Sequence, residues 1–94
     1  RKSMYSKTLL RRLRNDMSIT KLIGDVLAMP SKISEGYFRF LCPVCNEFNT
    51  ATNPNTNLAR CFSCQRNFNP IDMVMIVKRL NFPEAVEYLI KIVR

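Results

Sequence analysis

The sequence predicts an α+β fold in which a small antiparallel sheet is flanked by helices at both ends of the chain. Three observations support this prediction. All four cysteines fall into two Cys-x-x-Cys pairs, which are separated by fifteen residues. The segments around these pairs are rich in aromatic residues that favour strands. The terminal thirds instead carry apolar residues at helical spacing.

Residues 1–16 are predicted to form a basic helix or arm, and residues 17–94, which contain all four cysteines, are predicted to form the domain itself. Leu9, Leu10 and Leu13 form a narrow apolar stripe at helical spacing. A solvated helix and an arm that contacts a polyanion explain the positive charge equally well, since charge runs alone are weak evidence. Six of the fifteen basic residues lie in this segment: Arg1, Lys2, Lys7, Arg11, Arg12 and Arg14.

Residues 18–28 predict a second helix that buries one side. Ser18 can cap the backbone amides that follow it. Pro30 and the stretch 31–36 end the helix. The apolar residues at helical spacing are Ile19, Leu22, Ile23, Val26 and Leu27.

The middle of the chain predicts three strands in one small antiparallel sheet. Residues 36–41 are rich in aromatic strand formers and lead into the first cysteine pair, and strand alternation places Tyr37 and Arg39 on one face. Residues 48–52 and 57–62 predict two further strands, because turn-forming residues separate them. Strand–turn–strand between the cysteine pairs brings the pairs face to face.

Two helices are predicted in the C-terminal third. Asn69 caps the first, and Pro70 follows at a position where its missing N–H costs nothing. The helical pattern continues to Leu80, Asn81 ends it, and a second helix begins at Pro83. The apolar stripe of this last helix consists of Ala85, Val86, Leu89, Ile90 and Val93.

The paired cysteines predict one structural zinc ion and hence an α+β zinc ribbon. Zn²⁺ binds four thiolates at about 2.3 Å in a tetrahedron, and two facing Cys-x-x-Cys turns supply them with little strain. Two disulfides are the alternative, but they suit small secreted proteins, and the first residues are not a signal peptide. The reducing cytoplasm is therefore the expected compartment. The predicted ligands are Cys42, Cys45, Cys61 and Cys64.

Composition favours binding over catalysis. The net charge of +8 favours a polyanionic partner such as nucleic acid. The chain has no histidine, its acidic residues are scattered, and its two glycines form no phosphate loop. Four protein ligands also close the zinc site to substrate. The chain alone is therefore not expected to be an enzyme, and no apolar run approaches the length of about eighteen residues that spans a bilayer.

Basic and aromatic residues alternate around the predicted sheet. Arg39, Arg60 and Arg66 are expected to contact phosphates, because guanidinium groups are seldom buried without a partner. Tyr37 and Phe62 are candidate stacking residues for single-stranded bases. Packing between the sheet and the helices is the competing explanation for the aromatics, and it is expected to hold for at least half of Phe38, Phe40, Phe48 and Phe62.

From about Ile19 to Val93 the sequence resembles the N-terminal zinc-binding domain of bacterial and phage DNA primases, which is of the Cys-His-Cys-Cys type. The order of the motifs makes the resemblance specific, since Cys-x-x-Cys pairs alone are common. The matching segments are Leu41-Cys42-Pro43, Cys45, Cys61-Phe62-Ser63-Cys64, Ile71-Asp72-Met73-Val74-Met75 and Phe82-Pro83-Glu84-Ala85-Val86-Glu87-Tyr88-Leu89.

Three departures from the family pattern suggest a divergent member, such as one from a phage, plasmid or other mobile element. Cys45 stands where the family usually has histidine, which keeps tetrahedral binding and makes the site more anionic. Gln65-Arg66-Asn67-Phe68 replaces the usual Gly-x-x-Gly, and residues 48–52 lack the family's Thr-Pro-Ser-Phe. The preferred template sequence therefore stays open.

The resemblance implies a module that contacts single-stranded DNA template and helps select where primer synthesis starts. A separate polymerase domain of the primase would perform the chemistry, and a replicative helicase or polymerase is a further expected partner. Neither a membrane nor a small-molecule substrate is expected. The alternative is a zinc-ribbon protein-interaction adaptor that docks on a replication polymerase or helicase through the leucine stripe of residues 9–13 and the basic face of the same segment.

Overall fold

A computed structural model of the chain describes residues 6–93, so Arg1 and Lys2 of the predicted arm lie outside the described residues. The predicted α+β class is confirmed. In order, the elements are α1 (Lys7–Asp16), α2 (Ile19–Lys21, continued by a π-helical turn over Leu22–Val26), β1 (Ser31–Ser34), β2 (Tyr37–Phe40), β3 (Thr50–Asn53), β4 (Leu58–Cys61), β5 (Arg66–Phe68), α3 (Pro70–Lys78) and α4 (Phe82–Val93).

The strands form two antiparallel sheets where one was predicted. β1 and β2 form a two-stranded sheet, and β3, β4 and β5 form a three-stranded sheet in that order. The sequence prediction missed β1 and β5. β1 has one strong strand-forming residue, Ile33, and its hairpin turn uses Glu35 and Gly36 at φ +54° and +79°. Two-residue hairpin turns need such left-handed backbone, for which glutamate is an uncommon choice.

Thr50 joins the two sheets. Its buried Oγ1 accepts a hydrogen bond from the Phe40 backbone N–H at 2.8 Å and donates one to the Phe40 carbonyl at 2.6 Å. The Arg39 Nη1 group donates to the Thr50 carbonyl at 2.9 Å. Side-chain bonds therefore hold β2 beside β3 and fix how the two sheets meet.

Helix α1 packs on the rest of the domain. Ser6 caps it by accepting a hydrogen bond from the Leu9 backbone N–H at 3.0 Å. Leu13 is 1% exposed in the core, and Leu9 and Leu10 are half-buried against it. The predicted leucine stripe is thus used inside the domain. The predicted domain boundary after residue 16 stays a prediction.

The predicted helix over residues 18–28 begins as expected and then changes form. Ser18 accepts a hydrogen bond from the Lys21 backbone N–H at 3.3 Å, and the Leu27 N–H bonds to the Leu22 carbonyl at 2.8 Å in the π-helical register. The wider turn still buries the expected face, because Ile19 and Leu22 are fully buried.

Asn57, in the turn between β3 and β4, connects that turn to the junction of α1 and α2. Its Oδ1 accepts a hydrogen bond from the Ile19 backbone N–H at 2.8 Å. Its Nδ2 donates to the carbonyls of Met17, at 2.7 Å, and of Arg14. The residue lies at φ +56°, a conformation that asparagine adopts more readily than most residues. This contact was not predicted from the sequence.

The first C-terminal helix has its predicted cap, and the second is capped by Asn81, which was predicted only to end the helix before it. Asn69 and Asp72 form a reciprocal capping box, and Pro70 lies in the first turn of α3. Asn81 and Glu84 exchange the equivalent pair of hydrogen bonds at the start of α4, at 3.0 and 2.9 Å. Ala85, Val86 and Leu89 of the predicted stripe are fully buried. Within residues 6–93 no helix has both the length and the apolarity to cross a membrane.

Candidate metal centre and adjacent surface

The four cysteine sulfurs converge on one point. All four Sγ atoms lie within 4.8 Å of one another. The Sγ atoms of Cys42 and Cys64 are 3.8 Å apart, and those of Cys45 and Cys61 are 3.4 Å apart. A tetrahedron with zinc–sulfur bonds of about 2.3 Å has sulfur–sulfur edges of about 3.8 Å. The donor set and its size therefore fit one zinc ion.

Each cysteine pair lies in a similar tight turn. The first pair follows β2, and the second spans the end of β4 and the turn before β5. The residue directly after each pair has left-handed backbone, with φ +61° at Asn46 and φ +58° at Gln65. These two residues turn the chain back, so that both sulfurs of a pair point to the same side. Gln65 adopts this conformation without the glycine that is usual in the primase pattern.

Backbone amides orient the two buried sulfurs. The Val44 N–H donates to Cys42 Sγ at 3.4 Å, and the Cys64 N–H donates to Cys61 Sγ at 3.5 Å. Hydrogen bonds to the charged form favour a thiolate, and such outer contacts fix the direction of a metal ligand.

Three thiols of the site have shifted pKa values, and the shifts differ in direction. Burial and the hydrogen bond with Cys61 raise the pKa of Cys45 to about 12. Burial opposes ionisation of Cys61, but hydrogen bonds from the Cys64 backbone and the neighbouring thiols outweigh it and lower its pKa to about 7. Burial also raises the pKa of Cys64. Zinc must displace protons from these thiols, so its binding weakens as the pH falls.

The sequence matches the model of the CHC2 zinc finger, the zinc ribbon of DnaG-type primases, over residues 5–94. The chain belongs to the CHC2 zinc finger family. A search of the curated proteins found no match. The predicted primase resemblance and the expectation of one zinc ion are therefore confirmed. A CHC2 zinc finger is a non-catalytic module of primase.

Beside the metal centre, the CHC2 zinc finger carries a groove that contains most of the residues predicted to contact nucleic acid. The groove has a volume of about 670 Å³ and is lined by Tyr37, Arg60 and Phe62. Tyr37, Arg39 and Phe62 also line its neighbouring recess. Tyr37 and Phe62 are 56% and 48% exposed, whereas Phe40 is fully buried. The structure thus brings four of the five predicted contact residues together.

Arg66, the fifth predicted residue, lies elsewhere. It pairs with Cys61 across β4 and β5, whereas the next residue, Asn67, pairs with Arg60. Alternation along a strand places Arg66 and Asn67 on opposite faces of the sheet. The Arg66 guanidinium lies 5.8 Å from the centre of the buried Phe68 ring.

Each exposed aromatic of the groove is paired with an arginine. The Arg39 guanidinium lies 5.5 Å from the Tyr37 ring centre, and the Arg60 guanidinium lies 5.7 Å from the Phe62 ring centre. The Arg39 side chain is 18% exposed, because it bonds to the Thr50 carbonyl and, at 3.3 Å, to the Glu35 carboxylate. Arg39 therefore combines a structural role with its place in the groove.

Ala51 and Asn67 are among the groove residues that were not predicted from the sequence. Ala51, Arg60 and Asn67 form one row across β3, β4 and β5, and Asn67 Oδ1 accepts a hydrogen bond from Arg60 Nη1 at 3.1 Å. Both residues line the groove. Asn67 was missed because β5 was not predicted, whereas Ala51 lies within the predicted strand of residues 48–52.

Proposed function

We propose that this CHC2 zinc finger is the single-stranded DNA-binding module of a primase-type replication protein, and that it contacts the template where primer synthesis starts. The observation that carries the proposal is the groove in which Tyr37 and Phe62 are exposed and each lies beside an arginine. Exposed aromatics supply stacking surfaces for bases, and nearby cations follow the phosphates.

The shape of the groove supports the stacking of unpaired bases. Ala51 lies in the row of Arg60, and its small side chain leaves room above the sheet. A base within a duplex is covered on both faces by its neighbours, so it cannot lie flat against Tyr37 or Phe62. We therefore propose single-stranded rather than double-stranded DNA as the ligand.

The arginines support contacts to the backbone of the strand. Arg60 uses one guanidinium N–H on Asn67, and an arginine has five such donors, so donors are left for phosphate oxygens. The net charge of +8 adds a general attraction for polyanions. Arg66 is proposed as an outlying phosphate contact, because it is exposed on the edge strand β5, although it lies on the opposite face of the sheet from Asn67.

The metal centre would hold the groove residue Phe62 in place. Phe62 directly follows Cys61, and its backbone N–H donates to the Asn49 carbonyl at 2.8 Å. Zinc bound by Cys42, Cys45, Cys61 and Cys64 cross-links the two turns and supplies folding energy. The cysteines thereby hold the Phe62 ring in the groove and take no part in a reaction.

The proposed partners follow from the family. A primase polymerase domain would perform primer synthesis, and a replicative helicase or polymerase would bring the module to the template. We propose the cytoplasm as the compartment, since thiolate ligands need reducing conditions. We place the alternative adaptor function second, because Leu13 of its leucine stripe is buried and Leu9 and Leu10 are half-buried against the core.

Fluorescence anisotropy of labelled single-stranded DNA across a salt series tests the proposal. Replacing Tyr37 or Phe62 by alanine should each weaken binding by about 1 to 3 kcal/mol, the value of one stacked base. Ile33→Ala is the matched control, because Ile33 is an exposed apolar side chain of the β1–β2 hairpin. Binding that is absent at low salt, or that is lowered equally by all three variants, would refute the proposal.

A further inference from the structure

Helix α1 presents a stripe of positive charge. Lys7, Arg11 and Arg14 are four and three residues apart, so they lie on one flank of the helix. With a rise of about 1.5 Å per residue, the stripe is about 10 Å long. The leucines of the same helix point to the core, whereas Lys7 and Arg11 are exposed and Arg14 is half-buried.

Within residues 6–93, none of the three stripe cations has an acidic partner. The ion pair on α1 joins Arg12 to Asp16 at 3.5 Å. Those two residues are displaced around the helix from the stripe by roughly a third of a turn or more. Among the described residues, neither ion pair therefore neutralises the charge of the stripe.

The stripe ends close to the groove. Asn57 donates a hydrogen bond to the Arg14 carbonyl, which fixes the end of α1 against the turn between β3 and β4. The neighbours of Asn57 in that turn, Thr56 and Leu58, both line the groove. The last turn of α1, at Arg14, therefore lies beside a turn that lines the groove.

We propose that Lys7, Arg11 and Arg14 form a second phosphate-binding segment that continues the groove. The ligand of this segment is the sugar–phosphate backbone of the same single strand, which matches the stripe in charge. This inference rests on the proposed function of the groove. It predicts that the domain holds a longer strand than the groove alone can cover.

The test compares two triple variants by anisotropy of short and long single strands. The first variant replaces Lys7, Arg11 and Arg14 by glutamine, which retains helix propensity. The control replaces three other basic residues by glutamine and so makes the same change in net charge: Lys78, Arg79 and Lys91. The short strand has about four nucleotides and the long strand about sixteen, which bracket common site sizes. Far-UV circular dichroism and zinc content confirm that both variants fold.

The stripe variant should lower the salt slope for the long strand by about 2 and its affinity at about 0.1 M salt by about 100-fold, because each lost phosphate contact removes about 0.7 from the slope. It should bind the short strand within severalfold of the parent chain, and the control should stay within severalfold for both strands. Equal losses in the two variants, or no loss, would overturn the inference while leaving the groove intact. If the parent chain binds neither strand, the proposed function fails with it.

Discussion

Asn57 provides the sharpest test of how the fold is held together. Replacing Asn57 by alanine removes the acceptor of the buried Ile19 N–H and the donor to the Arg14 and Met17 carbonyls. A buried polar group left without a partner costs about 1 to 3 kcal/mol. Alanine at φ +56° adds a penalty of about 1 kcal/mol for left-handed backbone.

The expected total is a loss of about 3 to 6 kcal/mol in the free energy of unfolding. This is less than the sum of the separate costs, because water can hydrate some of the groups that lose their partner. That is a large share of the 5 to 15 kcal/mol, roughly, that stabilises a typical domain. Urea unfolding of the zinc-loaded chain, followed by far-UV circular dichroism, measures the difference. Asn57→Gly should cost about 1 kcal/mol less than Asn57→Ala, because glycine removes the same hydrogen bonds without the backbone penalty.

Asn55→Ala is the matched control, because Asn55 is an exposed asparagine of the same turn. It should change the free energy of unfolding by less than about 0.5 kcal/mol. If Asn57→Ala unfolds at the same urea concentration as the control, the three hydrogen bonds do not hold α1 and α2 to the sheet.

Two further predictions concern the metal centre. Gln65→Gly should stabilise the zinc-loaded chain by about 0.5 to 1 kcal/mol, because glycine removes the left-handed strain at φ +58°. Ser63, in the same turn, does not have left-handed backbone. Ser63→Gly should therefore destabilise the zinc-loaded chain in the same urea experiment. Cys45→Ala should abolish stable zinc binding and most helical content, whereas Cys45→His should retain one zinc per chain, because both side chains are tetrahedral zinc ligands.

A specific result would contradict each of these predictions about the metal centre. Equal effects of glycine at 63 and 65 would show that the backbone at Gln65 is not strained. Full helical content in Cys45→Ala, or in the parent chain after chelation, would show that the metal is not needed for folding. If elemental analysis found no zinc in Cys45→His, the site would require sulfur at all four ligand positions.

The features that could be predicted from the sequence are those set by neighbouring residues. The two Cys-x-x-Cys pairs define their own turns, and Asn69 and Asn81 cap their helices through hydrogen bonds that span three residues. The ligand set and both C-terminal helices followed from such local patterns.

The features that were missed depend on contacts between distant residues. Asn57 acts on Ile19, which is 38 residues away in the chain, so no local pattern indicates its role. The division into two sheets depends on Thr50, whose side chain binds the backbone of Phe40. Nothing in the local sequence distinguishes Arg39, which is partly tied to Thr50, from the more accessible Arg60.

Photochemical cross-linking tests the binding groove most directly. The zinc-loaded chain is irradiated with single-stranded DNA that carries photoreactive thymines, and the cross-linked peptides are identified by mass spectrometry. Adducts at Tyr37 and Phe62 that disappear on addition of unlabelled strand are expected if bases stack in the groove. Adducts confined to aromatics outside the groove, such as Phe82 and Tyr88 of α4, would contradict the proposal that bases stack in the groove.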